Sequence, residues 1–163
     1  MNTTALHPTY LLQIRIAVLL ALAASAALAP QARAQTWTGT TDGNWGTAAN
    51  WGGSLPAFST STDIVFGASN ANTSSSASPS FLGTSARTIR SLTFNASADA
   101  DVFIRLTDAN GSTQRNLTLQ AASGDAGLTV ESGATGNYTI GSSTHGSVIL
   151  GSNLTVSHDG TGT

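Results

Sequence analysis

From Asn116 onward one five-residue pattern keeps returning. NLTLQ, GLTVE, NYTIG, SVILG and NLTVS begin at positions 116, 127, 137, 147 and 153. In each, two apolar residues flank a single other residue: Leu117/Leu119, Leu128/Val130, Tyr138/Ile140, Val148/Leu150 and Leu154/Val156. Side chains two apart share one face of an extended chain, so each segment reads as a half-buried strand. Four of the five place threonine on the opposite face. Upstream, Ile64/Phe66, Leu92/Phe94 and Val102/Ile104/Leu106 alternate in the same way, with Asp101, Phe103 and Arg105 opposite the last set. Serine, threonine, asparagine and glycine dominate between the strands, and these residues compete with helical hydrogen bonds or cost backbone entropy. The chain is therefore expected to be all-β.

Two topologies fit such a rhythm. The first steps between repeats are 11, 10 and 10 residues, so every second strand returns after about 20, and the last step of six breaks the pattern. Hairpins would fold it as an antiparallel β-sandwich. A parallel β-helix would use two or three strands per coil and set like residues above like. The recurring x-Leu-Thr-apolar unit favours stacking, so the expected fold is the start of a parallel β-helix, with the sandwich as the alternative. A coil cannot bury its face alone, and the chain stops at Thr163 where another strand is expected.

The N-terminal third has a different character. Ile16 to Ala29 is an unbroken apolar and small-residue run of 14, shorter than the ~20 a membrane span requires. Arg15 precedes it, and Ala32 and Ala34 follow in an A-x-A arrangement, the order of a secretory signal peptide cut after Ala34. Residues 35–163 then carry four arginines, no lysine and eight acids, a balance of −4. Such a chain has no basic patch for phosphates, which excludes nucleic acid as a partner. Cysteine is absent, so stability must come from sheet ladders rather than disulfides.

Candidate chemistry is sparse. Trp37, Trp45 and Trp51, the only tryptophans, lie in TWTGTTDGNWGTAANWGG (36–53). Exposed rings would stack on sugars; buried rings would close the open end of the first coil, as solenoid caps do. The cap is the preferred reading, and ligand contact by the three tryptophans the alternative. His145 and His158 are expected in turns, and His158 beside Asp159 would point to opposite strand faces. Asp99, Asp101 and Arg105 suggest a polysaccharide-cleaving site only at a stretch, because Arg105 is expected to pair with a nearby acid across strands. The sequons at Asn72, Asn95, Asn110, Asn116, Asn137 and Asn153 are read as turn and strand-start asparagines. No catalytic residue, metal ligand or cofactor is assigned.

The ordered series W-T-G-T-T-D-G-N-W (37–45), A-N-W (49–51), D-I-V-F (63–66), S-L-T-F (91–94) and L-T-V-x-S-G (128–133) resembles the start of exported bacterial proteins with autotransporter-associated β-strand repeats, also called passenger-associated transport repeats. The family's glycine-rich repeat is only hinted at by DGTGT (159–163). The resemblance implies a right-handed β-helical passenger, structural or adhesive rather than enzymatic, exported through the Sec pathway to the cell surface, the outer membrane or the medium. It implies surface polysaccharide or a neighbouring or host cell as partner, and an outer-membrane connection only through a C-terminal region not in this sequence. The chain divides into a signal peptide (1–34), a tryptophan-rich cap (35–67), a serine-rich loop (68–85) and β-strand repeats (86–163).

Overall fold

The computed structural model describes residues 33–67, 80–141 and 146–162. The expected signal segment up to residue 32, most of the serine-rich stretch, and His145 lie outside them. The strands are β1 (Arg33–Trp37), β2 (Thr62–Phe66), β3 (Ser80–Phe81), β4 (Arg87–Ile89), β5 (Ser91–Phe94) and β6 (Val102–Arg105). They continue as β7 (Leu117–Leu119), β8 (Ala126–Val130), β9 (Tyr138–Ile140), β10 (Val148–Leu150) and β11 (Leu154–His158). One 3-10 turn, Ala48–Trp51, interrupts them. Within the stretch expected to be loop, Ser80 and Leu82 are buried and Ser80–Phe81 form a strand.

The strands sort into three parallel sheets. The first is ordered β1-β2-β5-β8-β11, the second β3-β6-β9 and the third β10-β7-β4. From β2 onward the chain visits first, second and third sheet in unchanging order. Every pairing between named strands is parallel. The antiparallel sandwich is therefore overturned; among the described residues the one antiparallel contact is the bridge Thr107↔Gln114 inside a loop.

The register corrects the expected return as well. Asp63 lies beside Ser91 and Ser91 beside Gly127, so every third strand, not every second, comes back to its sheet. Three steps of about ten residues carry Leu117 to Val148, its partner. The six-residue step that looked like a break is a tight corner between the third and first sheets. It recurs where Arg90 alone separates β4 from β5.

Stacking in register creates columns. Ile64, Leu92, Leu128 and Val156 form one inward column of the first sheet, and Trp37, Phe66, Phe94, Val130 and His158 form another. The Leu-Thr units of β5 and β8 align residue for residue, whereas that of β11 is displaced by two. An even displacement keeps the apolar face inward. Phe66 stacks on Phe94 with centroids 5.6 Å apart, and Phe94 on Tyr138 at 4.0 Å. The Tyr138 hydroxyl donates to Ala98 O at 2.5 Å and accepts from Gly136 N–H at 3.1 Å, and burial raises its pKa. A half-buried tyrosine thus packs against the core with its polar tip satisfied.

The corner from first to second sheet repeats in successive circuits at 95–101 and 131–137. Ala98 and Ala134 are buried there, and Thr135 N–H donates to Ala98 O as Thr161 N–H donates to Ala134 O, at 3.1 and 3.0 Å. Circuits approach closely at this corner: a methyl on Gly136 would lie 2.2 Å from Ala100 O. Gly136→Ala is expected to cost about 1–3 kcal/mol by forcing circuits apart. Gly127→Ala, whose methyl would meet only Ser91 Cβ at 3.2 Å on the outer face, is expected to cost under about 1 kcal/mol. Urea unfolding followed by tryptophan emission distinguishes the two.

Candidate functional site

Trp37 is the last residue of β1 and points inward. Trp45 follows Asn44, whose bridge to Phe81 extends the second sheet by one position, and Trp51 closes the 3-10 turn. Their rings are 0 %, 0 % and 6 % exposed. Trp51 stands edge-on to both others, at 4.9 Å from Trp37 and 5.7 Å from Trp45, and its Nε1–H donates to Trp45 O at 2.9 Å. Trp37 also leans on Phe66, so the cluster continues the aromatic column of the core. A sugar platform requires an open ring face, and these three rings have none. The structure places Trp37, Trp45 and Trp51 inside the first circuit, and the ligand-contact alternative finds no geometric support.

The polar residues among the tryptophans hold the chain around them. Asn50, fully buried, accepts from Thr41 N–H and Asp42 N–H through Oδ1. Its Nδ2 donates to Asp42 Oδ1 at 2.7 Å and to Asn44 O at 2.9 Å. Asp42 also accepts from Asn44 N–H and from the Thr47 hydroxyl. Asn50 and Asp42 thereby give several of the polar groups that the loop removes from water a partner, while the buried Trp45 Nε1–H has none. This explains why D-G-N-W and A-N-W occur together: two carbonyl-bearing side chains brace a turn whose rings plug the interior. The asparagine was unremarkable in the sequence, because its partners lie six to nine residues away.

Phe58 and Arg87 complete the closure. The Phe58 ring stacks on Trp45 at 6.1 Å, and the Arg87 guanidinium carbon lies 4.3 Å from the Phe58 ring centroid. Arg87 Nε donates to Leu82 O at 3.1 Å, and burial lowers its pKa. Phe58 sits at φ +46°, a conformation that a bulky side chain adopts only when its surroundings hold it.

The other candidates are scattered. His158 is not in a turn; it ends β11 at an inward register position above Val130. Beside it a cavity of about 160 Å³ opens between the inner faces of the first and second sheets, against Val156, Tyr138 and Ile140. Asp101 accepts both the backbone N–H and the Nδ2 of Asn137, while Asp99 is exposed in the corner. Arg105 does not pair with an acid: its Nη2 donates to Ala109 O, and its guanidinium carbon lies 5.8 Å from the Phe81 centroid. Among the described residues the single ion pair joins Arg90, at the corner between β4 and β5, to Asp63 of β2. Asn116 and Asn137 tie neighbouring circuits at strand starts, and Asn95 accepts from Ser97 within its corner; Asn72 is outside the described residues. Among the described residues no three His, Cys, Asp or Glu side chains gather to hold a metal. No protein-family model, curated protein or solved structure matches this chain.

Two measurements check this account. Asn50→Asp replaces a donor with a buried carboxylate facing Asp42, and is expected to cost about 3 kcal/mol near neutral pH. That penalty is absent below the unfolded carboxyl value of ~3.9 and grows as pH rises through the raised folded value. Chemical unfolding at pH 3.5 and pH 7 reads the difference. In the loop after β6, hydrogen bonds from Thr113 and then Ser112 hold the Asp108 carboxyl down to about 2. Its contribution is present above 3.8 and lost as pH falls toward 2. The amide resonances of Ser112 and Thr113 are expected to titrate with a midpoint near 2.

Proposed function

We propose that this chain is the capped leading end of a right-handed parallel β-helix, exported to a bacterial cell surface, where it serves as a structural or adhesive passenger rather than an enzyme. The observation that carries the reading is the contrast between the two ends of the stack. At the first circuit three tryptophans are buried behind a braced loop. In the last described circuit Val148, Leu150 and Val156, all inward by register, are 40 %, 56 % and 62 % exposed. Solenoids close a terminus with an atypical unit and grow by repetition from it.

The ordered tryptophan and Leu-Thr motifs support the same family reading, and the apolar run 16–29 followed by the A-x-A arrangement at Ala32 and Ala34 supports export. Cleavage after Ala34 removes two of the five residues of β1 and leaves Gln35, Thr36 and Trp37 against Ile64, Val65 and Phe66.

Expression of the complete gene in a Gram-negative host, followed by N-terminal sequencing and protease shaving of intact cells, tests the proposal. A mature N-terminus at Gln35 and shaved peptides from 86–163 are expected. An uncleaved chain retained in the cytoplasm overturns it.

A further inference from the structure

Cleavage after Ala34 leaves no loose end. Gln35, Thr36 and Trp37 stay in β1 beside Ile64, Val65 and Phe66, so the new terminus is the first rung of the first sheet. Trp37 points inward and is fully buried. Residues two apart share a strand face, so Gln35 holds an inward position beside Ile64, which is also fully buried. Thr36, on the opposite face, is exposed, whereas Gln35 is half-buried. A polar side chain thus heads the column that runs on through Ile64, Leu92 and Leu128. Its carboxamide is folded back on its own backbone. Nε2 donates to Ala34 O at 3.3 Å, against the peptide group whose nitrogen cleavage turns into an amine.

We propose that Gln35 is a modification site, where the amine freed by cleavage closes onto its own side chain to give a pyroglutamyl lactam. The nitrogen of the unprotonated amine attacks Cδ and forms the ring C–N bond. The Cδ–Nε2 bond breaks, one amine proton passes to the departing nitrogen, and ammonia leaves. The step needs no co-reactant. The inference rests on the cleavage reading above.

Position favours the ring over the free amine. An ammonium beside Ile64 would be held at the mouth of an apolar column, where lost hydration is costly without a counter-charge. Asp63, the register partner of Ala34, lies on the outer face and is already engaged. Arg90 Nε donates to its Oδ1 at 2.7 Å, the Ser91 hydroxyl to the same oxygen at 2.6 Å, and Arg90 Nη2 to Oδ2. The lactam carries no charge and keeps one N–H for the ladder. It also disposes of a side-chain donor whose acceptor departs with Ala34. β1 is an edge strand of its sheet, and a lactam at its end denies aminopeptidases the free amine they bind.

Two preparations test this. One is the chain exported from a Gram-negative host that expresses the complete gene. The other is the full chain with a site-specific protease sequence in place of residues 31–34, cut to bare Gln35 and allowed to fold, with emission of the buried tryptophans reporting folding. In both, mass spectrometry is expected to show an N-terminal peptide that begins at residue 35 and is lighter by one ammonia. It is expected to resist aminopeptidase until pyroglutamyl peptidase removes its first residue. The urea midpoint of the cut chain is expected to rise as ammonia is lost, and to stay at its starting value in Gln35→Asn, whose shorter side chain cannot close the ring. A free amine persisting on Gln35 in either preparation, or a midpoint that ring closure leaves unchanged, overturns this inference alone. An exported chain that begins at another residue, together with ring closure in the cut chain, overturns the cleavage reading alone.

Discussion

Everything in this molecule follows from parallel backbone ladders that keep their register from one circuit to the next. Once Asp63 lies beside Ser91, and Ser91 beside Gly127, each inward side chain is placed over the one beneath it. The interior is then a set of columns rather than a single globular core. A column has two ends, and each end exposes apolar atoms and unpaired strand edges. At the first circuit that exposure is met by three tryptophan rings. Burying a ring of about 200 Å² at ~25 cal/mol per Å² contributes on the order of 5 kcal/mol before entropy is counted.

The cap shows how polar chemistry makes apolar burial attainable. A loop that folds inward carries N–H and C=O groups away from water, and each left alone would cost about 1–3 kcal/mol. Asn50 and Asp42 answer for several of these groups at once. The rings and the braces are thus one device. Neither makes physical sense in the sequence without the other.

The strands themselves were legible, because alternation by two reports a half-buried face wherever it occurs. β5, β6, β7, β8 and β9 lie where Leu92/Phe94, Val102/Ile104, Leu117/Leu119, Leu128/Val130 and Tyr138/Ile140 put them. The number of strands per circuit was not legible, since corners of very different length separate β4 from β5 and β7 from β8. The burial of the tryptophans was anticipated from their position, but Asn50, Phe58 and Arg87 were invisible. Their partners are set by tertiary contact rather than by any local period. Arg105 was misplaced for a related reason: pairing with an acid is only one way to hold a guanidinium, and a carbonyl with a phenyl ring is another.

The repeated corner at 95–101 and 131–137 carries a consequence for how such a chain can diversify. Its buried alanines and recurring hydrogen bonds fix both its length and its path, so an insertion there would shear one circuit against the next. The corner after β6 is built differently. Asp108 gathers Ser112 and Thr113 into a self-contained loop, and the Thr107↔Gln114 bridge closes its neck. Sequence added beyond that neck leaves the ladders on either side undisturbed. The stack therefore has one seam that must stay plain and another that can carry ornament, and variation between related chains, or a grafted epitope, belongs on the second.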